Sequence, residues 1–196
     1  MTKIRVSIPF VCLVALMYML DCRNVFLPTF IAVALHEFSH IAAARVCGGT
    51  IDFVDIRAFG IKVNIPELSM MSYGKEIIIA AAGPAAGIIT AVSAVAAARI
   101  LKTDSFSYFI GVNALITAIN LIPVYPLDGG RIALSLNLMI FSMRTAYFIS
   151  YVLSLVSIAT LFAICTYLAI NGMLNPSLVI FSVYITACGI RFLNAF

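Results

Sequence analysis

The chain has 196 residues, of which 63% are hydrophobic and only 10% charged. No ordinary soluble domain has that balance, so the chain reads as an all-α polytopic membrane protein, residues 1–196 forming one intramembrane domain. The net charge of +4 is no nucleic-acid signature, because the basic residues sit at the ends of apolar runs, where they set topology.

Six transmembrane helices are expected, since crossing a bilayer takes ~20 residues of helix. The first covers about residues 4–20, behind Lys3 and Arg5. It lacks a small-residue cleavage site and reads as a retained helix rather than a signal peptide. A short polar turn, Asp21 to Asn24, makes the next span its antiparallel neighbour. The second span covers about 26–46, with Pro28 in its first turn, and Cys47-Gly48-Gly49 ends it.

That second span carries the one dense cluster of chemistry, His36-Glu37-Phe38-Ser39-His40, and it holds both histidines of the chain. Residues four apart lie on one helix face, one turn above the other. His36 and His40 can therefore offer two imidazoles to one zinc ion, and Glu37 follows as a general base. The bland alternative is a pair of satisfied core histidines. Ionisable groups at membrane depth are costly and point to function by default, which favours the metal reading.

Thr50 to Ser72 is too polar to span. Ile51-Asp52-Phe53 and Ile61-Lys62-Val63-Asn64-Ile65 alternate apolar and polar residues, as half-buried strands do, with a turn at Phe59-Gly60. The reading is a small β-hairpin or sheet at the membrane surface, between spans two and three, against an irregular loop. A free strand edge there could take an extended substrate by strand addition.

The third span covers about 77–98. Gly83 and Gly87 make a small-xxx-small face that lets another helix come close, and Pro84 is expected to kink the helix. This span reads either as a close-packed neighbour of the histidine helix or as ordinary membrane packing. The fourth covers about 106–122 and then breaks through Pro123, Pro126, Gly129 and Gly130. Unwound backbone at membrane depth is tolerated only inside protein or along a wet cavity. A helix is expected to resume near Ile132 and run to about Phe141. Spans five and six cover about 145–170 and 178–192. The five cysteines show no C-x-x-C spacing and read as reduced packing residues. An inside N-terminus puts nine of the twelve basic residues inside, against Arg23, Arg99 and Lys102 outside. Both termini are therefore expected in the cytoplasm, and His36, His40 and Asp128 should converge toward that face.

A catalytic zinc usually keeps three protein ligands and one open position. With no third histidine, the remaining ligand must be Asp, Glu or Cys, and Asp128 in the broken segment is the best candidate. Its alternative role is a helix-capping aspartate ahead of Gly129-Gly130-Arg131. Asn120 is placed to donate to a developing oxyanion, or else is a structural amide.

His36-Glu37-x-x-His40 joined to Asn120-x-x-Pro123-x-x-Pro126-x-Asp128-Gly129 resembles the site-2 protease family of intramembrane zinc metalloproteases. The short N-terminus and six expected spans look most like its sporulation branch, the stage IV sporulation protein FB type. The resemblance implies His36, His40 and Asp128 as zinc ligands, Glu37 as the catalytic acid–base and Asn120 as a substrate or oxyanion contact. It implies regulated cleavage of a membrane-associated substrate, in that branch a sigma-factor precursor, with membrane inhibitor proteins as partners and the bacterial cell or forespore membrane as the location. Two departures are visible: Gly87 stands where many members carry Asn, and the chain ends at Phe196, where that branch continues into a nucleotide-sensing CBS domain. Alternatives are a site-2-type protease acting on other transmembrane segments or signal peptides, and, in another class, a membrane zinc transporter or metal-binding protein. A transporter should spread acidic or histidine residues over several spans.

Overall fold

The computed structural model describes residues 3–19, 21, 24–50, 52–57, 60–64, 71–173 and 176–193. Cys22, Arg23, Ile51, Phe59, Ile65 and Phe196, all used above, lie outside them. The chain divides into two compact units, Met1–Ala118 and Ile119–Phe196.

The first unit opens differently from expectation. Residues Lys3–Val6 form a strand, β1, and only then does helix α1, Ile8–Met19, begin. The Ser7 carbonyl accepts from Phe10 and Val11 at 3.0 and 3.3 Å, starting α1 around Pro9. The twelve residues of α1 rise ~18 Å. The physical reason for the strand is its partner. β1 runs parallel to β2, Phe53–Arg57, from Lys3↔Phe53 to Val6↔Ile56. β2 in turn pairs antiparallel with β3, Gly60–Asn64, from Phe53↔Asn64 to Arg57↔Gly60. The sheet order is β1-β2-β3, and the Arg5 guanidinium lies 5.5 Å from the centre of the Phe53 ring, within cation–π reach.

Helix α2, Phe26–Val46, starts where Asp21 accepts from the N–H groups of Val25 (3.0 Å) and Phe26 (2.8 Å). These are two of the donors a helix start leaves unmet. It ends as Gly48 turns to φ +89° and the Gly49 N–H returns to the Ala44 carbonyl at 2.9 Å. Helix α3, Tyr73–Leu101, is longer than the 77–98 expected, and Pro84 sits inside it without ending it. Lys75 Nζ donates to the Cys47 carbonyl at 2.8 Å, tying the start of α3 to the end of α2. Helix α4, Ser107–Asn120, reaches α3 through buried Asn113, whose Oδ1 accepts from Thr90 Oγ1 at 3.2 Å.

In the second unit the chain leaves α4 through residues 121–127, where short-range bonds such as Val124 N–H to Ile122 O at 2.8 Å replace the helix ladder. The Tyr125–Pro126 peptide is cis. Helix α5, Asp128–Ile140, resumes four residues earlier than the expected Ile132. Gly129 and Gly130 belong to its first turn rather than to the break. A Cβ on Gly129 would lie 2.2 Å from the Leu121 carbonyl oxygen, and one on Gly130 would lie 2.4 Å from the Tyr125 nitrogen. The unwound segment therefore folds back onto α5 at a distance that only glycine allows. Ser154 Oγ donates to the Pro123 carbonyl at 3.2 Å, and Asn137 Nδ2 donates to Ser150 Oγ at 2.9 Å. Both bonds reach helix α6, Met143–Ile170, which pairs with α7, Pro176–Leu193, through buried Cys165 and Ser182, 3.3 Å apart.

Among the described residues, three helices are long and apolar enough to cross a membrane: α2, α3 and α6. Helices α1 and α4 and the stretch Leu178–Ala187 are apolar but shorter. Cys12, Cys47 and Cys165 are all free thiols.

Replacing Gly130 by Ala forces a methyl group into backbone. The expected cost is ~1–3 kcal/mol, read as a lower melting temperature in detergent. An unchanged melting temperature would count against the close packing of residues 121–127 on α5.

Candidate metal centre

The site begins with a face of α2. Ala32, His36 and Ala44 are buried at four-residue and eight-residue steps, with half-buried His40 between them. The small alanines let α3 approach, and α3 answers with buried Ala80, Gly83, Pro84 and Gly87. A Cβ on Gly83 would lie 2.3 Å from His40 Nε2 and 2.7 Å from His36 Cε1. The two imidazoles thus rest on bare α3 backbone. The Gly83 face acts as the close-packed neighbour of the histidine helix, the first of the two readings left open for it.

The geometry of the pair is well defined. His36 Nε2 and His40 Nε2 are 3.2 Å apart, with ring centres 4.8 Å apart and planes at 80°. The Ile79 carbonyl sits 2.7 Å from His40 Nδ1. A carbonyl only accepts, so His40 Nδ1 carries the proton and its Nε2 presents a lone pair toward His36. This is the arrangement a metal-ligating histidine uses: one nitrogen anchored, the other free to bind. With zinc–nitrogen bonds of ~2.0–2.1 Å at a tetrahedral angle, two ligand nitrogens stand ~3.3 Å apart. The observed 3.2 Å fits a shared divalent ion.

Glu37 is half-buried on the same turn. Asn120 is the last residue of α4 and is half-buried where the helix gives way. Asp128 is buried, 7% exposed, as the first residue of α5, with Leu127 in the cap position. That placement differs from the capping role weighed in the sequence. Arg131 Nη1 is 3.9 Å from Asp128 Oδ1.

Three features were not singled out from the sequence. The Ile79 carbonyl is a backbone atom and has no residue signature. The contact of Gly83 with both rings needs α3 in place. Thr117, on α4, packs its hydroxyl against Gly87, and no motif marks it.

The fold is shared with the solved site-2 protease from Methanocaldococcus jannaschii, which superimposes with a TM-score of 0.64 at 20% identity, covering 96% of this chain and 89% of that one. By sequence, residues 95–164 match the model of Peptidase family M50, a stretch that includes Asn120 and Asp128. Stage IV sporulation protein FB of Bacillus subtilis (strain 168) is 30% identical over 102 residues, 51% of this chain. That match spans only 35% of the relative's length. The resemblance to site-2 proteases read from the motifs is thus met independently by family model, curated relative and fold.

Gly83→Ala should push the imidazoles off α3 and weaken metal binding by ~10–100-fold, the range seen when a ligand's supporting contact is lost. Metal analysis of the purified protein after dialysis checks it.

Proposed function

We propose that this chain is a zinc-dependent intramembrane endopeptidase of the site-2 type. The observation that carries the reading is the 3.2 Å separation of the two Nε2 atoms, one of them oriented by the Ile79 carbonyl, with Glu37 in the same turn. His36, His40 and Asp128 would hold the ion, a donor set of two imidazoles and one carboxylate that suits zinc. Bound there, zinc would supply Lewis-acid polarisation of the scissile carbonyl. Glu37 accepts the proton of the attacking water and then delivers it to the departing amine nitrogen. Asn120 donates its side-chain amide to the developing oxyanion.

The finer architecture belongs to the same proposal. The chain is one membrane domain with six spans, the shorter apolar helices α1, α4 and α7 joining α2, α3 and α6, with both termini in the cytoplasm. Its substrate is a membrane-associated protein, by the sporulation-branch resemblance a sigma-factor precursor, and membrane proteins of the same branch are its inhibitors. β3 pairs on one side only among the described residues, and that open edge would receive the substrate as an added strand.

The test pairs bound zinc with cleavage of a membrane-tethered sigma-factor precursor in detergent. Glu37→Gln should keep zinc and lose cleavage by ~10²–10⁴-fold. Asp128→Ala should lose zinc, and Asn120→Ala should lower kcat by ~10²–10³-fold with zinc retained. Wild type without zinc would overturn the reading. Zinc bound to a Glu37→Gln variant that still cleaves would overturn the role of Glu37. For the strand edge, proline scanned through residues 61–64 should reduce cleavage wherever an outward N–H is removed; full activity at every position would exclude strand addition.

A further inference from the structure

Thr117 breaks a rule that five other helical threonines obey. Thr29, Thr90, Thr160, Thr166 and Thr186 each donate to the carbonyl four residues back. That bond is how a hydroxyl is satisfied inside a helix away from water. Thr117 could do the same toward Asn113, yet its hydroxyl turns away, and Oγ1 is buried with no hydrogen-bond partner among the described residues. The residue is only 7% exposed.

The hydroxyl points at α3. A Cβ built on Gly87 would lie 2.2 Å from Thr117 Oγ1, so only glycine leaves room for it. Gly87 is one helical turn beyond Gly83, the residue that touches both His36 and His40. One further turn along, Thr90 and Asn113 bond to each other at 3.2 Å. The unmet donor is thus confined to the turn that adjoins the histidine pair. A buried unmet donor destabilises the fold, and valine has the same shape without that cost. A destabilising group kept beside a functional site suggests use in a state other than the resting one.

We infer that Thr117 is a substrate-contacting residue: when the α3–α4 contact at Gly87 loosens, its hydroxyl donates to a backbone carbonyl of the extended substrate segment. Such a segment brings the needed acceptor, because unwinding it frees its carbonyls in a place without bulk water. This inference rests on the protease reading above.

The experiment measures binding of the membrane-tethered precursor to zinc-loaded Glu37→Gln protein, with and without Thr117→Val, beside cleavage in the Glu37 background. The expected result for Thr117→Val is a Kd raised about tenfold and slower cleavage, with zinc content unchanged and a melting temperature no lower than wild type. Thr117→Ser should restore binding. If Thr117→Val binds and cuts like wild type, the hydroxyl is a passive defect and the inference falls. A loss confined to the cleavage rate, with Kd unchanged, overturns it as well. Failure of the wild type to bind zinc and cleave would remove the protease reading itself, an outcome distinct from an indifferent Thr117.

Discussion

The structure depends on the contact between the His36–His40 pair and the bare backbone of α3. Two imidazoles on an apolar helix need polar partners, and nearly all of α2 is hydrocarbon. The Ile79 carbonyl accepts from His40 Nδ1 at 2.7 Å, and Gly83 leaves the space that both rings occupy against α3. The Nε2 atoms of the two rings are thereby brought within 3.2 Å of each other.

The second unit solves a different problem. A stretch of non-helical backbone inside an apolar bundle leaves N–H and C=O groups unmet, each at a cost of several kcal/mol in hydrocarbon. Residues 121–127 meet that cost with short-range bonds, with the Ser154 hydroxyl on the Pro123 carbonyl, and by lying directly on the first turn of α5. Gly129 and Gly130 make this possible. The same tight fold leaves Asn120 and Asp128 at the two ends of the unwound segment, each held by a helix terminus rather than by a loose loop.

Polar side chains elsewhere in the helices are sparing and mostly paired. Asn113 with Thr90, Asn137 with Ser150, and Cys165 with Ser182 each join two neighbouring helices, the usual polar glue of membrane packing. Against that economy Thr117 stands out, since its hydroxyl gives up the bond that its own helix offers. Stability and activity compete at such positions.

Much of the chemistry was legible in the sequence because it is local. The spacing of His36 and His40 places both on one face of any helix, the prolines after Asn120 cannot continue one, and the runs of α2, α3 and α6 are too apolar for water. Local rules misjudged Lys3–Val6, which reads as the start of a helix but becomes a strand. Its partner in β2 lies about fifty residues away, and pairing energy outweighs a weak propensity. They misjudged Gly129-Gly130 for a like reason: glycine reads as a breaker, yet here it is required by an approach of Leu121 and Tyr125 that no window of sequence contains. The residues proposed to ligate a metal were legible in the chain. The proton on His40, the space made by Gly83 and the orphaned hydroxyl of Thr117 were decided by tertiary packing, because each is set by a backbone atom or a gap on another helix.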